Sequence, residues 1–161
     1  MNKNLTELLG YFKMEARITE RLFSHLTEAS LAQRVTEKDR SLGEMAWHLV
    51  TSIPEMLGYL GLQVPGPAPE APPPASAHEL LEAYRQVSQG ALTAMAHSWT
   101  DQSLSEVHDI YGYRWSKAQI VWALLFHQTH HRGAMTVLMR QAGLKLPEIY
   151  GPSRDSQERH G

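Results

Sequence analysis

The sequence predicts an all-α protein, a four-helix bundle with a long proline-rich crossover between helices 2 and 3. Apolar residues recur at helical spacing in four segments, and helix-capping serines stand before three of them. A proline-rich run that cannot be helical, 64–74, separates the second segment from the third. At 161 residues with 42% hydrophobic content, the chain is expected to form one domain spanning 1–161.

Composition narrows the classes of function. Fifteen basic and seventeen acidic residues give a net charge of −2, without the basic run that a nucleic-acid partner or an anionic membrane would require. The sequence has no cysteine, so a metal must be bound by nitrogen or oxygen ligands. Neither a signal-peptide apolar region nor a membrane-length apolar run is present, since the densest apolar stretch is Ile120 to Phe126. We therefore expect a cytoplasmic protein.

The first predicted helix runs from about Leu5 to Thr27, because apolar residues recur there every three or four positions. These residues are Leu5, Leu9, Phe12, Ala16, Phe23 and Leu26. The second predicted helix opens at Ser41, which forms a capping box with Glu44 three residues on. Pro54 lies within this helix and is expected to kink or shorten it.

The proline-rich run favours an extended polyproline conformation. At about 3.1 Å per residue, the segment 63–75 would reach roughly 40 Å. This length exceeds the roughly 30 Å of a 20-residue helix. The segment can therefore return along the bundle and leave helices 2 and 3 parallel, with a surface loop as the alternative.

The third predicted helix begins after Ser76, which forms a capping-box pair with Glu79, and runs to about Ser98. In the following segment, 99–115, β-favouring residues surround Gly112, so this loop is expected to contain a hairpin.

The fourth predicted helix begins after Ser116, which pairs with Gln119, and ends before Gly143. The tail 147–161 is polar and is expected to be only partly ordered. Heptad steps along the fourth helix give as inward positions Ile120, Leu124, His127, His131, Ala134 and Leu138.

His127 and His131 lie one helical turn apart, about 40° around the axis, so both rings can bind one ion. A single buried histidine is usually just hydrogen-bonded in place. Burying two adjacent rings without partners costs on the order of 1–3 kcal/mol each, and a metal ion satisfies both. His130 lies about 100° from His131 and is expected at the surface.

His48 of the second helix lies beside the apolar stripe and can face the bundle interior. With His127 and His131 it would supply three imidazoles from two helices, leaving coordination positions for water or substrate. The spacing of His127 and His131 also matches that of the two histidines in the His-Glu-x-x-His motif of zinc proteases. Gln128 stands in place of the motif's glutamate, and because an amide cannot act as a general base, this argues against a hydrolase of that class. His108, in the predicted loop, remains open as a neighbour of the site.

This spaced set of histidines, followed by Arg132 and Gly133, resembles the DinB/YfiT-like family of metalloenzymes. The resemblance covers nearly the whole chain, including the run Tyr-Gly-Pro-Ser-Arg-Asp at 150–155. It implies an up-down-down-up bundle in which His48, His127 and His131 are the three metal ligands. All-imidazole ligation suits zinc, nickel, copper, iron or cobalt, and zinc or nickel is the divalent ion we expect.

Two positions depart from the usual family pattern. Gln128 stands where many members have glutamate, and Ala134 stands where many have glutamine. Both changes leave the three ligands intact and alter the residues around them.

Relatives of this fold include S-transferases and isomerases that depend on a low-molecular-weight thiol, so the resemblance implies such a small-molecule substrate. A divalent ion with three neutral ligands favours a bound thiolate over the thiol. Arg132, Arg114 and Trp115 are the sequence candidates for binding an anionic substrate. The alternative is a non-catalytic metal-binding or stress-response module in which the ion joins two helices.

Four large apolar residues of the fourth helix lie off the histidine positions: Trp122, Leu125, Phe126 and Met139. They are too many for a solvated face, so we expect this face to pair two copies in a homodimer.

Overall fold

Four long helices dominate the computed structural model, which describes residues 4–158. They are α1 (Leu5–Phe23), α2 (Leu42–Gly58), α3 (Ala77–Ser98) and α4 (Lys117–Gln141). A hairpin of β1 (Val107–Ile110) and β2 (Tyr113–Ser116) precedes α4, and a short helix α5 (Arg154–Gln157) follows it. Single 3-10 turns occupy Glu28–Ser30 and Ser103–Ser105. The predicted helical class is confirmed.

The predicted caps lie at the starts of α2, α3 and α4, but only two are reciprocal: Ser76 Oγ accepts from the Glu79 amide at 3.3 Å without a return bond from Glu79. Ser41 Oγ accepts from the Glu44 amide at 3.2 Å, and the Glu44 carboxylate accepts from the Ser41 amide at 2.6 Å. Ser116 and Gln119 form the same reciprocal pair before α4. After α4, Gly143 takes a φ of +78°, a left-handed conformation that glycine adopts without steric cost.

One helix end differs from the prediction, and one of the two predicted effects of Pro54 is absent. α1 ends at Phe23 and does not reach Thr27, because the Thr27 hydroxyl accepts from the Ser30 amide and begins a separate 3-10 turn. Such local side-chain bonds compete with helix continuation. Pro54 does not end α2, which continues through it to Gly58.

One core lies between the four helices. α3 packs against α1 and α2, and α4 packs against the same two helices. The rings of Tyr11 and Trp122 lie 5.3 Å apart where α1 meets α4, and those of Phe23 and Tyr84 lie 5.2 Å apart where α1 meets α3. Within residues 4–158, no helix combines the length and apolar character needed to cross a bilayer.

The buried face of α4 is wider than the heptad steps predict. Ile120, Leu124 and Leu138 are buried as predicted, and the buried set also includes Val121, Leu125, Gln128, Arg132, Met135 and Met139. Leu125 and Met139 were predicted on an exposed face, and that placement is wrong. Because α4 packs against both α1 and α2, two helices cover more of its surface than a single seam would.

The predicted hairpin is confirmed. Its tip, Tyr111 and Gly112, has φ values of +51° and +81°, the pair of positive angles that a two-residue type I′ turn requires. The Tyr111 hydroxyl donates to the Glu55 carboxylate at 2.7 Å. This bond attaches the hairpin tip to α2.

The connection between α2 and α3, residues 59–76, includes the proline-rich run and contains neither helix nor strand. Trp47 Nε1 of α2 donates to the Ala71 carbonyl at 2.7 Å, and Gly66 lies against Val87 of α3. The segment therefore packs on both helices that it connects.

The C-terminal segment is anchored as far as it is described. The buried Asp155 carboxylate of α5 accepts from the Leu146 amide and from Arg140 Nη1 of α4, each at 2.9 Å. The rest of the predicted tail, 159–161, lies outside the described residues.

Candidate metal centre

Three histidine rings converge between α2 and α4. His48 Nε2 lies 3.0 Å from His127 Nε2, which lies 3.1 Å from His131 Nε2. The ring centroids are 4.4–4.8 Å apart. The structure therefore brings together the three residues that the sequence analysis selects as metal ligands.

The contacts of His127 Nε2 are hard to satisfy by hydrogen bonding alone. A ring nitrogen offers either one N–H or one lone pair, so it forms one good hydrogen bond. His127 Nε2 has two close nitrogen neighbours, one in His48 and one in His131. A cation between the rings would accept all three lone pairs at once.

Two of the three nitrogen–nitrogen separations fit a shared divalent ion. With metal–nitrogen bonds of about 2.0–2.1 Å, two imidazole nitrogens lie about 2.9 Å apart at a 90° angle and about 3.3 Å apart at the tetrahedral angle. The two shorter Nε2 separations fall within this range. All three ligand atoms lie within 4.8 Å of one another.

Burial keeps the three rings neutral. It lowers the pKa of His48, His127 and His131 to about 4 each, and neighbouring histidines and the positive charge of Arg40 contribute further. At neutral pH each ring is therefore deprotonated, which is the state that binds a metal.

Metal affinity is expected to change little between pH 7 and pH 5 and to fall steeply as the pH approaches 4. Protons compete for the ligand nitrogens only near the folded-state pKa, and that value is about 4 rather than the usual 6.5. Isothermal titration with zinc across this pH range measures the effect. A tenfold loss of affinity between pH 7 and pH 6 would contradict the neutral, half-buried state of the rings.

The coordination set is open. Among residues 4–158, no further histidine, aspartate or glutamate joins this group of three. A tetrahedral or larger coordination shell would leave at least one position for water or substrate. Three protein ligands with an open position are typical of catalytic metal sites.

Gln128 lies between the histidine pair and points into the core. Its Nε2 donates to the Leu49 carbonyl at 2.9 Å and to Ser52 Oγ at 3.1 Å, while its Oε1 accepts from the Tyr84 hydroxyl at 3.2 Å. This satisfied amide joins α4 to α2 and α3. It fixes the rotation of α4 and thereby directs the neighbouring histidines towards α2.

Arg132 forms a buried network of hydrogen bonds and an ion pair on the side of α4 that faces α1. Its guanidinium pairs with the Glu15 carboxylate and donates to Thr19 Oγ1 at 2.9 Å and to the Tyr150 hydroxyl. The residue is only 1% exposed. The predicted role of Arg132 in substrate binding stays untested, and its contacts are those of a structural ion pair.

The other substrate candidates lie on the hairpin. Arg114 is highly exposed and pairs with Asp109 at 3.7 Å, and Trp115 stacks on Tyr113 with centroids 5.0 Å apart. His108 lies on β1, with Nε2 4.0 Å from the Glu106 carboxylate. Within residues 4–158, neither Arg114 nor Trp115 has a polar or ring contact with the three histidines.

Two charged residues near the site are absent from the sequence candidates. The charge of Arg40 lowers the pKa of all three histidines, whereas the charge of Glu55 acts in the opposite direction on His48 and His127. Glu55 lies two turns after His48 on the same helix face, a spacing that could have identified it. Arg40 lies in an irregular loop, where no periodicity marks it.

Comparison with known proteins agrees with the fold. The DinB family model matches residues 1–160. The uncharacterised protein YrdA of Bacillus subtilis is 37% identical over 161 residues, covering all of this chain and 96% of YrdA. A DinB-like protein from Bacillus cereus, also 37% identical, has a TM-score of 0.89 with 93% of this chain and 100% of its own covered.

A second solved structure shows the same fold at greater distance. The DinB-like protein YjoA of Bacillus subtilis has 17% identity and a TM-score of 0.69, covering 91% of this chain and 99% of its own. The match of the family model over nearly the full length, together with the 37% identical relatives, establishes the assignment. The chain belongs to the DinB family.

Proposed function

We propose that this protein is a metal-dependent enzyme that transfers or isomerises a small substrate with the help of a low-molecular-weight thiol. His48, His127 and His131 would hold one divalent ion, zinc or nickel. The observation that carries this proposal is the convergence of three neutral imidazole nitrogens within 4.8 Å of one another, two of whose separations, 3.0 and 3.1 Å, fit a shared ion.

The residues around the site support an enzyme over a purely structural ion. A bound divalent ion would favour the thiolate form of a substrate thiol, which is the nucleophilic form. The three rings would hold the ion from α2 and α4 alone, and the described residues supply no fourth histidine, aspartate or glutamate to this group. The Gln128 network keeps the two helices in register, so the rings stay oriented without closing the shell.

The experiment that tests this function joins metal analysis with thiol assays. Protein purified from its own host is analysed for bound metal and then assayed with low-molecular-weight thiols against a panel of electrophiles. We expect metal-dependent conjugation or isomerisation that is lost in His127→Ala. A stoichiometric ion without turnover across the panel would favour the alternative, a non-catalytic metal-binding module.

We further propose the up-down-down-up order with the proline-rich segment as a crossover. Cross-helix pairs support parallel α1 and α4, since Tyr11 meets Trp122 and Glu15 meets Arg132 further along both helices. Contacts of Gly66 and Ala71 with α3 and α2 support a segment that returns along the bundle.

The homodimer is also proposed, on a smaller set of residues than the sequence pattern selects. Phe126 remains 66% exposed, and its ring lies 5.9 Å from that of Trp122, which contacts Tyr11. An exposed aromatic group of this kind is typical of an interaction surface. We expect a dimer by light scattering at micromolar concentration and a monomer for Phe126→Asp. A monomeric parent protein would contradict this proposal.

A further inference from the structure

A pocket of about 680 Å³ opens between the loop that precedes α2, the start of α2 and the second half of α4. Its apolar wall is formed by Val35, Met45, Val137 and Leu138. Val35 and Val137 are 64% and 55% exposed, so the wall is open to solvent. The volume falls in the range of small-molecule sites.

The pocket adjoins the three histidines. Met45 precedes His48 by three residues and Ala134 follows His131 by three, and residues at this spacing share a helix face. The pocket therefore lies on the same faces of α2 and α4 as the rings.

The rim of the pocket carries two cations without acidic partners. Lys38 and Arg40 line it, and neither forms a salt bridge within residues 4–158. The third charged rim residue, Asp39, accepts from the Thr36 amide at 3.2 Å and from its hydroxyl at 2.8 Å. The local charge is therefore positive beside an apolar wall.

We propose that this pocket binds the anionic end of a small aliphatic substrate, with Arg40 as the principal contact for the anion. The inference rests on the proposed function, because the reactive end of that substrate would lie at the histidines. It assigns substrate recognition to Arg40 in place of Arg114 and the buried Arg132. A guanidinium is suited to this role because it can donate two parallel hydrogen bonds to one carboxylate.

The test compares 6-mercaptohexanoic acid with 6-mercaptohexanol, which differ only in the charge at one end. Binding is followed in metal-free protein by the methyl NMR shifts of Met45 and Val137, and in cobalt-loaded protein by the cobalt–thiolate absorption band. The variants are Arg40→Gln, Arg114→Gln and, as a matched control, the exposed Arg17→Gln on α1.

We expect the acid to bind about two- to fivefold more tightly than the alcohol, the range of an exposed ion pair. Arg40→Gln should abolish this preference while alcohol binding and cobalt content stay unchanged, and Arg17→Gln should retain it. Equal binding of acid and alcohol, or a preference lost in Arg114→Gln instead, would overturn the proposal. Methyl shifts that depend on protein concentration alone would overturn it too, because a second copy would then fill the pocket.

The methyl NMR shifts test the pocket assignment, whereas the cobalt–thiolate band tests the proposed function, so the two can fail separately. Methyl shifts with an acid preference but no cobalt–thiolate band would contradict the thiol chemistry and leave the pocket assignment standing. A cobalt–thiolate band of equal affinity for both compounds would support the chemistry and contradict the role of Arg40.

Discussion

Replacing His127 or His131 with alanine is expected to abolish stoichiometric metal binding. Each variant leaves two of the three converging nitrogens, and two imidazoles alone hold a divalent ion weakly. We expect a drop from about one ion per chain to near zero, measured by elemental analysis after dialysis. His48→Ala should behave in the same way, since its Nε2 belongs to the same group.

His130→Ala is the matched control. His130 lies next to His131 in sequence, but its side chain is exposed and does not belong to the converging group. This variant should keep its ion. Loss of the ion in His130→Ala with retention in His131→Ala would mean that α4 is rotated from the register described here.

The alanine variants should still fold. The core is built from the apolar faces of four helices, and the half-buried histidines lie at its edge. Circular dichroism should therefore show helical content close to that of the parent protein. Thermal stability should differ mainly by the linkage energy of the lost ion.

Replacing Arg132 with methionine is expected to destabilise the fold by about 3–5 kcal/mol. The variant leaves the Glu15 carboxylate, whose side chain is 12% exposed, without its cation, and leaves the Thr19 hydroxyl without its donor. Removing one partner of a buried pair strands the other charge in a poorly solvated position. Urea unfolding monitored by circular dichroism measures the loss.

Two further variants test whether the unpaired Glu15 charge causes this loss of stability. Replacing Glu15 with glutamine in the same chain should recover much of the loss, because no unpaired charge then remains. Arg85→Met should have little effect, since Arg85 pairs with Glu20 and Glu82 at the surface. A fully stable Arg132→Met variant with weakened substrate binding would contradict the structural role and favour the substrate-binding role predicted from the sequence.

Local signals explain the parts of the structure that could be predicted. The caps at Ser41 and Ser116 depend on residues three positions away, and the convergence of His127 with His131 follows from helix geometry alone. His48 was predicted as the third ligand because it lies beside the apolar stripe of the second helix and matches the family pattern.

Contacts between distant residues explain what could not be predicted. Arg132 was predicted to bind an anionic substrate, and its burial in an ion pair could not be predicted because its partner Glu15 lies 117 residues away and Tyr150 lies in the tail. The width of the α4 face depends on two neighbouring helices, which a single heptad seam does not describe. Arg40 approaches the histidines from a loop whose path no periodicity predicts.

X-ray absorption spectroscopy on zinc-loaded protein, combined with zinc analysis, tests the three-histidine site most directly. The structure predicts one ion per chain, bound by three imidazole nitrogens at about 2.0–2.1 Å with at least one exchangeable oxygen ligand. Absence of a stoichiometric ion, or a shell closed by a fourth protein ligand, would contradict the site described here.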